Sequence, residues 1–180
     1  MSGFESKTRL VLFTGDRHAG KTTAAAGLAQ TLQEQGFKVG GFLSLSCYED
    51  QELKGYDLFD LTGQKRMPLA WESTGNEAGH RRFEFNDDAF EYVHKHLLNK
   101  EISEADLVII DEFGPLEIEW GGFREAVDEL LVHKPICLLI VVRNRILEEV
   151  KRLYQRFDPV VVEALQDGAT QEVMNVLIDK

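Results

Sequence analysis

Cysteine, proline and positive charge are all in short supply in this sequence. Two cysteines occur in 180 residues, Cys47 and Cys137, far apart and in no metal-like spacing. That leaves no disulfide framework to expect, and Cys137, inside the apolar run ICLLIVV, reads as inert packing. Lysine and arginine number 20 against 31 aspartates and glutamates, a formal net charge of -11. Sequence-independent nucleic-acid binding depends on neutralising phosphates with cations, so no nucleic-acid partner is expected and any anionic ligand must be held by local geometry. The longest apolar runs, LVLF and ICLLIVV, are far too short to cross a bilayer. The opening residues MSGFESKTRL lack the cationic-then-apolar order of a secretion signal, so a cytoplasmic location without membrane association is expected. Neither an internal repeat nor a low-complexity linker divides the chain. Residues 1–180 are expected to form one domain, and a monomer. What is there suffices for a core: 43% hydrophobic and 28% charged residues are ordinary for a globular protein.

Strand and helix signals alternate along most of the chain. Arg9 to Phe13 reads as a buried strand, and after a polar loop Ala25, Leu28, Ala29 and Leu32 share one face of a helix ending near Gly36. KVGGFLSL supplies a second strand and EADLVIIDE a third, whose wholly apolar middle suits a strand covered on both faces. ICLLIVV is a fourth and PVVVE a short fifth. Between these, Phe123, Ala126, Val127, Leu130 and Leu131 mark one amphipathic helix, and Ile146, Val150, Leu153, Tyr154 and Phe157 another. Lys134-Pro135 and Asp158-Pro159 end the two helices and restart strands, and a last helix covers Gln171 to Ile178. Such alternation predicts an α/β fold, a mainly parallel sheet with helices on both faces.

The stretch from about Ser46 to Phe85 breaks the rhythm. There GYDLFDLTGQKRMPLAW alternates apolar and polar residues around Thr62-Gly63, which predicts an antiparallel hairpin extension at about 46–85. The polar ESTGNEAGHRR reads as a mobile loop. Asn86 then caps a helix whose apolar face is Phe90, Val93 and Leu97.

The segment TGDRHAGKTT, Thr14 to Thr23, stands where the first strand hands over to the first helix. Gly15 and Gly20-Lys21-Thr22 satisfy G-x-x-x-x-G-K-S/T, a match expected by chance with odds on the order of one in a hundred. The chemistry needs these residue types. Glycines let the backbone wrap a phosphate, successive N–H groups and the helix N-terminus supply positive potential, and Lys21 reaches the β and γ phosphates. Gly15, Asp16, Arg17, His18, Ala19, Gly20, Lys21, Thr22 and Thr23 are therefore the expected nucleotide-binding residues, with Thr22 offering its hydroxyl to magnesium. Asp16, Arg17, His18 and Ala19 are expected to serve through their backbone.

Such a loop requires an acidic residue at the end of a neighbouring apolar strand, and Asp111 in LVIIDE fits. Its carboxylate would hold magnesium with Thr22, while Glu112 is placed to polarise a water that attacks the γ phosphate. Arg143, directly after the fourth strand, is the candidate for a guanidinium on the transferring phosphate, ahead of Arg145. A charged helix start on the surface is the favoured reading of both over a role at the phosphate. Glu117 either meets a ribose or organises the segment after Glu112. His94 and His96, two apart on a helix, make a poor metal pair and are expected in solvent. Trp71, Trp120 and Tyr56 are read as packing beside the sheet extension.

With TGDRHAGKTT and VIIDEFGPLEI both in hand, the chain resembles the thermostable nucleoside-triphosphatase family, called cancer-related nucleoside-triphosphatase in animals. The family's apolar strand followed by D-E-apolar-G-x-apolar-E is matched by Asp111, Glu112, Phe113, Gly114, Pro115, Leu116 and Glu117. GGFLS, LKGYDLFDLTG and RFEFNDDAFEYV also look like family segments, so the likeness covers most of Arg9 to about Val142. It implies a phosphate-loop three-layer α/β sandwich and magnesium-dependent hydrolysis of nucleoside triphosphates, ATP or GTP, to diphosphates. It also implies that the fourth strand lies between the loop strand and the Asp111 strand. Two other readings stay open: a small-molecule or nucleotide kinase built on the same loop, and a nucleotide-binding adaptor that recruits a partner.

Overall fold

The computed structural model describes residues 8–17, 19–73, 83–119, 121–133 and 136–178. In its first half the elements are β1 (Arg9–Gly15), α1 (Lys21–Glu34), β2 (Val39–Glu49), β3 (Glu52–Asp60), β4 (Arg66–Glu72), β5 (Phe83–Phe85) and α2 (Asp87–Leu97). Then follow α3 (Lys100–Ser103), β6 (Leu107–Phe113), α4 (Pro115–Ile118), α5 (Arg124–His133), β7 (Cys137–Arg143), α6 (Leu147–Leu153), β8 (Val160–Glu163) and α7 (Ala169–Ile178). The strands form one sheet in the order β5-β4-β3-β2-β6-β7-β1-β8. From β2 to β8 all neighbours run parallel, whereas β3, β4 and β5 are added antiparallel.

Why the central strands are apolar throughout is visible in what covers them. Leu10, Leu12, Val108, Ile110, Leu138 and Ile140 face one core, packed with residues of α2, α5 and α6. Their alternate neighbours Val11, Phe13, Leu107, Ile109, Leu139 and Val141 face a second core under α1 and α7. A strand buried on both faces has no polar side, and period-two alternation vanishes. The result is three layers, helix on sheet on helix, with β7 between β1 and β6 as expected.

The antiparallel extension begins earlier than the sequence suggests. Rather than ending near Leu45, β2 runs on to Glu49 and turns at Asp50-Gln51 into β3. Both turn residues have positive φ, 49° and 68°, as tight two-residue hairpins require. No glycine marks this turn, so its signal was absent from the residue types. The hairpin expected around Thr62-Gly63 joins β3 to β4. Asn86 caps α2 by accepting from the Asp88 N–H, and its own amide donates to the Pro68 carbonyl at 2.8 Å, tying helix to hairpin. The expected loop through Arg81-Arg82, the Lys134-Pro135 break, His18 and Trp120 lie outside the described residues.

Candidate active site

At the end of β1, the chain leaves the sheet at Gly15 and re-enters helix at Lys21. Gly20 turns it there with φ 96°, a left-handed conformation that costs other residues, and no side chain caps the helix start. The first N–H groups of α1 are thus left for an anion. Lys21, 5% exposed, folds back to donate from Nζ to the Asp16 carbonyl at 2.8 Å, so the loop closes around its lysine. Asn144, just past β7, braces the same loop. Its amide donates to Asp16 Oδ1 at 3.1 Å and its carbonyl oxygen accepts from the Thr14 hydroxyl at 2.7 Å.

Opposite the loop, β6 carries the acidic pair. Between Ile110 and Phe113 the β6–β7 register shifts, so Asp111 and Glu112 bulge from the ladder at the strand's end. Bulges of this kind re-aim side chains. Asp111 is fully buried. Its Oδ2 accepts from the Ser44 N–H at 3.2 Å, and the Ser44 hydroxyl donates to its backbone carbonyl. Burial pushes the carboxyl up to about 7, while the Thr22 hydroxyl, the Ser44 N–H and the Lys21 charge favour its ionised form. Its Oδ1 is buried with no hydrogen-bond partner. A buried carboxylate oxygen left unpaired beside a threonine hydroxyl is what a hard cation would satisfy. Among the described residues no cluster of three or more His, Cys, Asp or Glu could hold a metal alone.

Glu112 is paired with Arg143, the last residue of β7, each about three-quarters buried. Both line one cavity of about 940 Å3 with Arg17, Gly20, Lys21, Thr22 and Thr23. Arg145 lies on its wall as well. Just below, Glu117 is 4% exposed and accepts from the Gly114 N–H at 2.7 Å and the Phe123 N–H at 3.2 Å. Of its two open roles, these contacts make it the organiser of the segment after Glu112.

Three contributors went unseen in the sequence. Ser44 and Asn144 have no motif of their own, although Asn144 directly follows Arg143. Tyr56, expected as packing, lines the cavity. Trp71 is 44% exposed on the sheet extension and donates to Glu84 Oε2 at 3.2 Å. His94 and His96, expected in solvent, are instead each engaged, His94 with Glu129 at 2.9 Å and His96 with the Tyr92 carbonyl at 2.7 Å. Cys137 is buried and its thiol pushed up to about 11 by that burial, so it is packing.

Strand order, phosphate loop and the acids opposite it define a phosphate-loop nucleoside triphosphatase fold. More narrowly, the chain belongs to the NTPase family, whose model matches residues 10–174. It is similar to the nucleoside-triphosphatase THEP1 of Methanothermobacter thermautotrophicus, 29% identical over 143 residues that cover 79% of this chain and 80% of that one. THEP1 of Saccharolobus solfataricus is 26% identical over 175 residues, 97% of this chain and 96% of its own. The solution structure of a human cancer-related nucleoside triphosphatase shares the fold with a TM-score of 0.71 at 22% identity, over 94% of this chain and 96% of that one. The crystal structure of THEP1 from Aquifex aeolicus does so with a TM-score of 0.66 at 18% identity, over 94% and 99%.

Proposed function

We propose that this chain hydrolyses nucleoside triphosphates, ATP or GTP, to diphosphate and phosphate with magnesium, as a single-domain cytoplasmic monomer. Family membership supports the hydrolysis. The observation that carries the assignment of residues is the meeting of Lys21, Thr22 and Glu112 around one cavity, with Asp111 buried behind them within reach of Thr22 and Lys21 and its Oδ1 unpaired.

In this reading the loop N–H groups from Gly15 to Thr23 and the α1 N-terminus bind the phosphates, and Lys21 meets the β and γ groups. Thr22 and Asp111 would hold magnesium, which would supply positive charge to offset that of the phosphates. Ser44 orients Asp111 for that task. Glu112 accepts a hydrogen bond from the attacking water and aligns it with the γ phosphorus. Arg143 holds the Glu112 carboxylate in place and stands where its guanidinium can turn toward charge developing on the transferring phosphoryl. Catalysis is then chiefly positioning and electrostatics.

The test is phosphate release from several nucleoside triphosphates, with magnesium and no acceptor, by wild type and Glu112→Gln at saturating nucleotide. The expected result is steady turnover by wild type, reduced about 10²–10⁴-fold in the variant with nucleotide binding retained. Equal rates in the two proteins would remove Glu112 from the mechanism.

A further inference from the structure

The cavity of about 940 Å3 has the phosphate loop, Arg17 and Gly20 to Thr23, as one part of its lining and aromatic side chains as another. Beyond Glu112 and Arg143 it continues into a compartment walled by Tyr48, Tyr56, Leu69, Phe83, Phe85 and Phe90. The aromatic rings pack in two groups. Tyr56 meets Phe83 edge-on with centroids 5.4 Å apart, and Phe90 bridges Phe85 at 5.9 Å and the cavity-lining Phe123 at 5.2 Å. Tyr56 lines the same cavity as Arg17, Glu112 and Arg143, so the compartment is continuous with the phosphate end.

Sheet order and the stereochemistry of phosphoryl transfer say which side of the reaction this compartment serves. The phosphate loop follows β1, and in the proposed reading the γ end of a bound triphosphate would point toward Asp111 and Glu112 on β6. Residues 44–48 of β2, then β3, β4 and β5, lie on the far side of β6 from β1. In-line displacement places the nucleophile opposite the departing diphosphate. Nucleoside and leaving group therefore stay toward β1, and the aromatic compartment opens on the nucleophile's side.

We propose that this compartment is an acceptor subsite for a small flat heteroaromatic molecule with a primary hydroxyl, whose oxygen replaces the attacking water beside Glu112. The inference rests on the assignment of Lys21, Asp111 and Glu112 to triphosphate hydrolysis. Aromatic walls favour a planar ring by stacking and edge contacts, and Glu119 and Arg145 on the cavity wall suit polar ring substituents. In the transfer the acceptor oxygen bonds to the γ phosphorus, the bond from that phosphorus to the β,γ-bridging oxygen breaks, and nucleoside diphosphate leaves with the electron pair. The hydroxyl proton passes to the Glu112 carboxylate and from there to solvent. Products are the acceptor phosphomonoester and the diphosphate, with no other reactant needed.

The experiment incubates the protein with magnesium, γ-labelled ATP and one of three probes, 3-pyridinemethanol, pyridoxine or uridine, and follows labelled phosphoester and free phosphate together. Ser46 is exposed on β2 opposite Tyr56, so Ser46→Trp fills the compartment without entering the core. Tyr48, 60% exposed, gives Tyr48→Ala as a second variant with little risk to folding. At least one probe should yield phosphoester saturably. Ser46→Trp should lower its yield about tenfold or more, and Tyr48→Ala should raise the probe's KM, with the KM for ATP within about twofold of wild type. No phosphoester from any probe would overturn the proposal, as would ester formation indifferent to both variants. A raised KM for ATP in Ser46→Trp would give the compartment to the nucleotide's base and overturn it too. Phosphate release by wild type without probe is read in the same runs, so failure of the hydrolytic assignment is distinguishable from failure of the acceptor subsite.

Discussion

Glu117 shows how much one carboxylate can organise. Burial pushes it up to about 7, against the N–H groups of Gly114 and Phe123 that favour its charge. A carboxyl whose folded-state pKa exceeds its unfolded value takes up a proton on folding. Its contribution to stability is then fully present below the unfolded value near 4.5 and is lost as pH rises through about 7. In denaturant titrations from about pH 4 to about pH 8, wild type should lose about 3 kcal/mol relative to Glu117→Gln. A gap that does not change with pH would contradict the shift. Gly122 is the partner constraint: its φ is 56°, and a Cβ there would stand 2.0 Å from Glu117 Oε1. Gly122→Ala is expected to cost about 2–4 kcal/mol, read as a lowered Tm, and to slow turnover by displacing the segment beneath Glu112. At this scale the motif residues were legible because phosphate chemistry needs fixed types at fixed spacing. Ser44 and Asn144 were not, since any strand end can carry a small polar residue and only the neighbouring strand gives it a role.

Between elements, the cap of α2 fastens the antiparallel extension to the helical layer. Asn86→Ala removes both the bond from the Asp88 N–H and the one to the Pro68 carbonyl, and should lower stability by about 1–2 kcal/mol with phosphate release unchanged. Thermal melts alongside the turnover assay check both parts. Strands β1, β6 and β7 could be read from their apolar runs, because double burial leaves no polar face. The β2–β3 turn could not, because Asp50-Gln51 carries no glycine and the antiparallel pairing itself holds its positive φ. The shift of register at Asp111-Glu112 was equally hidden. It depends on how β6 meets β7, not on the residues of β6 alone.

For the whole molecule, the strand order has chemical consequences. Placing β7 between β1 and β6 brings Arg143 to Glu112 and Asn144 to the phosphate loop, joining residues more than a hundred positions apart in the latter case. With a formal charge of -11, binding of a triphosphate rests on this local arrangement. Chelation of magnesium should therefore abolish phosphate release, restored by added magnesium, while the Tm without nucleotide stays within about 2 °C. A large fall in Tm on chelation would instead indicate a structural metal. By itself, the sequence determined the class of fold, the phosphate loop and the acidic pair, because hydrophobic period and phosphate geometry act over short spans of chain. Only the tertiary structure decided the Glu112–Arg143 pairing, the Ser44 and Asn144 supports, and the gathering of aromatic side chains along the same cavity. These arise where strands distant in sequence end side by side, and no local pattern records which ends will meet.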